Sequence, residues 1–190
     1  MSTPETHDWA ASLDTLHARA WARLARGVAD RRAAGRHPTL ATVDGQGRPQ
    51  ARTVVLRSAD PQAAVLQIYT DLHSDKVDEL RRTPHAAVQF WDSSAHLQIR
   101  LLADADILSG EAVSNIWATL SASARDCYGH QPSPGEPLSD GLGYHRQPAA
   151  TAFAVLQLWV QEMDILHLGR QHRRARFVRA DGWTGQWIVP

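Results

Sequence analysis

The chain holds one cysteine and one lysine in 190 residues. The single thiol, Cys127, excludes an intrachain disulfide and fits a reducing compartment; packing is the role expected of it. Lys76 stands alone in a chain that otherwise uses arginine for every basic side chain. Net charge is zero, which argues against a general nucleic-acid or membrane-surface binder working through charge. No apolar run approaches the ~18–20 residues that span a bilayer. The stretch Met1-Ser-Thr-Pro-Glu5 lacks the basic-then-apolar pattern of a secretory signal, so a cytoplasmic location is expected. Also missing are a Gly-x-Gly-x-x-Gly turn, a phosphate-binding Gly-Lys-Ser/Thr loop and a Gly-x-Ser-x-Gly elbow. His167 and His172 have no partner thiols and no standard ligand spacing, so no metal is expected. There is no repeat or low-complexity segment.

What is present reads as one domain with a helical addition: residues 1–37 as an N-terminal helical segment and 38–190 as a β-rich domain. Leu13, Leu16, Ala20, Leu24 and Val28 recur at helical steps and predict an amphipathic helix over 8–34, stopped by Gly35 and Pro38. Its arginines read as a solvated face. Strands are expected at 38–44, about 50–57, 63–70, 85–91, 96–108, 151–159, 163–168, 174–180 and 186–189. Turns fall at Asp44–Pro49, Asp92-Ser-Ser and Asp181-Gly-Trp. Residues 74–82 and 110–122 have helical spacing, and 131–143 is a breaker-rich loop. Closely spaced strands with hairpin links indicate an α+β, mainly antiparallel barrel with flanking helices. The tryptophans are expected in a core or a subunit interface.

One stretch concentrates the chemistry. Arg52-Thr-Val-Val-Leu-Arg57 is followed by Tyr69-Thr70 and by Ser74-x-Lys76. Hydroxyls, the N–H groups of a helix start and cationic heads suit a phosphate dianion. A compact ammonium does a different job from a planar guanidinium, which singles out Lys76. Arg52 and Arg57 are an odd number of residues apart. A regular strand puts them on opposite faces, so a shared ligand requires a bulge, a strand end or a subunit boundary. Gln98, on a strand, offers both a donor and an acceptor.

The run Arg-x-Val-x-Leu-Arg, then Tyr-Thr-Asp-x-x-Ser-x-Lys, resembles the pyridoxamine 5′-phosphate oxidase family of FMN-binding split barrels. The likeness covers roughly residues 38 to 190. It implies a homodimer with FMN in the interface and ligands from both subunits. Arg52 and Lys76 then resemble the cations on the FMN phosphate. Tyr69, Thr70 and Ser74 line the same pocket, Val54 and Val55 give main chain to the ring beside Thr53, and Arg57 joins this set. Gln98 approaches the ring, and Arg176 matches the family's arginine at the flavin. Gln131 and Ser133 are further candidates for the phosphate. His172 and Arg174 are the candidates to face a substrate.

The family's substrate grip is altered. Thr119 and Ser123 replace its tyrosine and arginine, Cys127 replaces a serine, and Leu166 replaces the tryptophan beside the flavin. The Arg-x-His pair is inverted as His172-x-Arg174. The resemblance therefore implies an FMN-dependent oxidoreductase acting on a substrate other than, or less anionic than, pyridoxamine phosphate. The alternative is a non-catalytic split barrel that holds flavin, haem or deazaflavin.

Overall fold

A computed structural model gives the architecture and describes residues 7–190. The stretch read for a secretory signal lies outside the described residues. In chain order the elements are α1 (Leu13–Ala29), β1 (Thr39–Val43), β2 (Pro49–Thr53), β3 (Leu56–Asp60), β4 (Val65–Asp71), α2 (Asp75–Arg82), β5 (His85–Asp92) and β6 (Leu97–Ser109). There follow α3 (Ser114–Thr119), α4 (Ala122–Arg125), β7 (His130–Gln131), β8 (His145–Arg146), β9 (Phe153–Leu168), β10 (His172–Val178) and β11 (Gly185–Ile188). The protein is mainly antiparallel β with flanking helices.

All pairings are antiparallel. β1 pairs with β2 and β5, β5 with β6, β6 with β9, β9 with β4, and β4 with β3. Only Val54-Val55 separates β2 from β3, so the pairings run around a ring that is covalently closed at that break. Leu56, Ile68, Val88, Ile99, Leu156 and Ile165 fill its interior.

Two departures from the predicted strands have physical reasons. The expected strand 50–57 is two strands, because Val54 N–H donates to Pro38 O at 3.0 Å and ends the β1 ladder while Leu56 starts a new ladder on β4. A bulge between Leu56 and Ser58 follows. Arg52 and Arg57 thus sit on different strands, and the alternation conflict dissolves. Conversely, the expected strands 151–159 and 163–168 are one strand of 16 residues. Leu156, Leu158 and Val160 point inward, and then Met163, Ile165 and His167 do. The phase slips because Leu102 pairs with Glu162 while Ala103 pairs with Val160, leaving Gln161 as a bulge.

β9 positions everything else. One of its edges lies on β6 throughout, whereas the other pairs with β4 over 153–159 and with β10 over 162–168.

α1 is shorter than predicted at both ends. Ser12 caps it by accepting from Thr15 N–H, and Asp30 turns the chain by accepting from Arg32 N–H at 2.9 Å. Leu16, Trp21 and Leu24 enter the same core as the strands. The predicted helix 110–122 is a 3-10 turn plus α3, because Ser121 starts α4 by capping Ala124 N–H. Val113, Tyr128, Phe153 and Val155 make a second, smaller core there.

Candidate functional site

The predicted cofactor residues converge where β4 ends and α2 begins. A cleft of about 390 Å³ is lined there by Thr53, Val54, Val55, Arg57, Tyr69, Thr70, Ser74 and Lys76. The β2–β3 break leaves Val55 outside both ladders at the cleft wall, while Val54 N–H is spent on Pro38 O. Ser74 stands at the start of α2 but does not cap it. Its hydroxyl donates to Asp71 O at 2.7 Å and lies 3.2 Å from Thr70 Oγ1. The first-turn N–H groups of α2 are therefore left without a side-chain partner.

Lys76 reaches back over this turn, with Nζ 3.1 Å from Thr70 Oγ1. Burial lowers its pKa below the ordinary lysine value, and the nearby Arg52 charge lowers it further, while Asp71, Asp75 and Glu79 oppose the shift. The ammonium is under-compensated, which is the condition an incoming anion relieves. Arg57 stacks over the Tyr69 ring at 5.5 Å, and its Nε is buried without a partner among the described residues. Phe153 backs the cleft, edge-on to Tyr69 and Tyr128 at 5.3 and 4.9 Å.

Arg52 is placed differently. Its guanidinium pairs with Glu79 at 2.8 Å and also bonds the Thr42 hydroxyl, which in turn bonds Glu79. It flanks Lys76 and acts on it through charge, but it does not line the cleft.

Sequence reasoning missed the loop side of the site. Asp71 Oδ2 accepts Gly129 N–H at 2.7 Å, and Asp71 Oδ1 accepts His73 N–H at 2.9 Å. This buried carboxylate ties the segment after α4 to the end of β4. Gly129 has φ +90° and sits so close to Gln147 O that a Cβ would lie 2.3 Å from it. Cys127, Tyr128, His130 and Pro134 complete the cleft wall. Burial pushes the Tyr128 pKa up. Cys127, expected to be packed, is exposed. Gln131 pairs with His145 in the β7–β8 ladder, and Ser133 lines a neighbouring hollow with Tyr144. The signal for this anchor was the acid directly after Tyr69-Thr70, combined with a glycine in a Tyr-Gly-His run. Neither is distinctive alone.

The remaining predicted residues lie elsewhere. Gln98 pairs with Leu166 and Arg174 also pairs with Leu166, whereas Thr70 pairs with Ala154. Positions 154 and 166 are 12 residues apart on β9, roughly 40 Å along the strand at ~3.3 Å per residue. One chain does not bring the two groups together. On this second face Arg174 grips Asp164 with two bonds, Nε to Oδ1 at 2.9 Å and Nη2 to Oδ2 at 2.7 Å. Arg176 pairs with Glu162 at 2.5 Å, and His172 is exposed at the strand tip.

Hydroxyls, an ammonium and a guanidinium around the cleft suit a phosphate monoester. Among the described residues no cluster suits a metal ion, and no helix is long and apolar enough to cross a membrane.

Known proteins resemble this chain in sequence and in fold. Residues 18–109 match the family model described as "Pyridoxamine 5'-phosphate oxidase, FMN-binding domain". The pyridoxine/pyridoxamine 5'-phosphate oxidase of Microcystis aeruginosa is 38% identical over 92 residues, which are 48% of this chain and 42% of that protein. The chain thus matches less than half the length of that curated relative. A pyridoxamine 5'-phosphate oxidase-related, FMN binding protein from Nostoc punctiforme superposes with TM-score 0.73 at 26% identity, over 91% of this chain and 96% of the other. PhzG from Burkholderia lata, solved with tetrahydrophenazine-1-carboxylic acid, shares the fold with TM-score 0.75 at 21% identity over both full chains. By its family match over residues 18–109 and by its fold, the chain is similar to the pyridoxamine 5'-phosphate oxidase-like proteins.

Proposed function

We propose that the protein is a cytoplasmic, FMN-dependent oxidoreductase built as a dimeric split barrel, with a substrate other than, or less anionic than, pyridoxamine phosphate. The observation that carries this reading is the cleft at the start of α2. Lys76, Thr70, Ser74 and Arg57 line it, next to Val55 between the two ladders. FMN bound there supplies hydride-accepting chemistry. Lys76 and the two hydroxyls hold its phosphate, Arg57 and Tyr69 flank it, and Arg52 raises the local positive potential from behind while Glu79 keeps its own charge matched.

The separation of Gln98, Arg174 and Arg176 from this cleft supports a site completed by a second copy of the chain. In that arrangement Gln98 of one protomer meets the ring held by its partner, and His172 and Arg174 face the substrate. Trp91 and Leu102, 40% and 45% exposed on β5 and β6, are apolar surface consistent with a covered face.

The test is to purify the chain, identify the bound small molecule by mass and absorbance, and measure its mass by sedimentation with and without FMN. A flavin spectrum and a dimer with two FMN are expected. A haem Soret band would move the protein to the binding-protein reading, and a monomer that holds FMN with full affinity would end the shared-site reading.

A further inference from the structure

Apart from its α-amine the chain carries one primary amine, Lys76, and that amine has the surroundings of a nucleophile rather than of a surface charge. It lines the cleft of about 390 Å³ together with Arg57, Tyr69 and Tyr128. Its hydrogen bond goes to a neutral group, the Thr70 hydroxyl at 3.1 Å, and among the described residues it joins no ion pair. Glu79, which lies close enough to act on it through charge, is spent on Arg52 at 2.8 Å. Burial, and then the Arg52 charge, hold the Lys76 pKa below the ordinary lysine value, while Asp71, Asp75 and Glu79 oppose the shift. A lysine in such a place keeps more of the neutral form, whose lone pair attacks a carbonyl carbon. The same cavity holds a receptor for an anion. Arg57 is stacked over the Tyr69 ring and pairs with no carboxylate among the described residues.

We propose that Lys76 is a carbonyl-capture site, at which the cofactor-free chain takes up phosphorylated aldehydes. Nζ adds to the aldehyde carbon while the phosphate is held by Arg57. The carbinolamine then loses water: a C=N bond forms, and the aldehyde oxygen leaves with both hydrogens of the neutral amine. No oxidant, reductant or further reactant is consumed. The imine fills the cleft and removes the ammonium, so capture and FMN binding exclude one another. That exclusion rests on the reading above, whereas the capture itself does not.

The probes are glyceraldehyde 3-phosphate and glyceraldehyde, which differ by one phosphate. The full chain, dialysed free of small molecules, is incubated with each in the presence of cyanoborohydride, which reduces the imine to a stable amine. Peptide mass mapping then reads labelling at Lys76 against labelling at the α-amine, which corrects for the intrinsic reactivity of each aldehyde. A charge-assisted contact to the phosphate sets the expected gain in that ratio at about ten-fold for the phosphorylated probe. Arg57→Gln is expected to remove most of the gain, and saturating FMN to slow Lys76 labelling by a similar factor while the α-amine is labelled as before. Equal ratios for the two aldehydes, an α-amine that outruns Lys76 with both, or an Arg57→Gln ratio equal to the wild type's overturns the proposal. If Arg57→Gln melts as unfolded, the wild-type comparison decides alone. FMN that binds, by fluorescence quenching, to a chain whose Lys76 stays unlabelled overturns the capture and leaves the flavin reading intact. A phosphate-dependent labelling that saturating FMN does not slow upholds the capture and moves the flavin away from this cleft.

Discussion

Replacing Lys76 with methionine separates an anion-binding lysine from a structural one. The thioether keeps most of the stem that packs at the start of α2 and deletes the charge. In the protein without cofactor, burial and the Arg52 charge both disfavour the ammonium. The folded-state pKa is below that of the unfolded chain, so between the two values the unfolded chain binds more protons and stability rises with pH. At neutral pH the ammonium is therefore a burden on the empty site. Lys76→Met should leave the melting temperature equal or higher. Towards FMN the sign reverses. One charge-assisted bond to a phosphate is worth about 1.5–3 kcal/mol, or roughly ten- to one-hundred-and-fifty-fold in dissociation constant. Quenching of FMN fluorescence on titration measures it. The wild-type affinity should also begin to fall at a pH below the ordinary lysine value, and Lys76→Met should lose that limb. An unchanged FMN affinity, or a drop in apo stability as large as the drop in affinity, would refute the assignment.

Three further outcomes are expected. Glu79→Ala leaves the Arg52 guanidinium largely buried and unmatched, and should cost about 3 kcal/mol in urea unfolding; a loss below about 1 kcal/mol would mean the pair behaves as a surface bridge. Gly129→Ala forces a side chain into a left-handed backbone against Gln147 O, so it should destabilise the chain by about 1–3 kcal/mol or more and weaken FMN binding by loosening the Asp71 anchor. Equal melting curves and equal affinities would show that the loop adapts. His167 is buried with both ring nitrogens unpartnered among the described residues, and desolvation, with His7, Arg173, His96 and His172 adding like charge, lowers its pKa to about 4. Its stabilising contribution is present above the ordinary histidine value near 6.5 and is lost as pH falls towards 4. Melting temperatures between pH 7 and pH 4.5 should drop less in His167→Leu than in the wild type; parallel curves would place the acid sensitivity elsewhere.

Sequence alone determined the elements whose cause is local. Alternation fixed most strands, Gly47 with Asp44 fixed the first hairpin, and the hydroxyl–lysine spacing marked one end of the cleft at the start of α2. Tertiary structure decided whatever depends on which strands pair. Whether 50–57 was one strand or two turned on β2 joining β1 while β3 joined β4, and the long β9 was masked by a bulge that shifts its alternation by one residue. The partners of the arginines were equally hidden. Glu79 meets Arg52 from α2 and Asp164 meets Arg174 diagonally across a ladder, so the charge available at each place follows from register rather than from motif. A sequence names the cations, but only the paired strands set which carboxylate each one meets, because register decides which side chains lie within reach across a ladder.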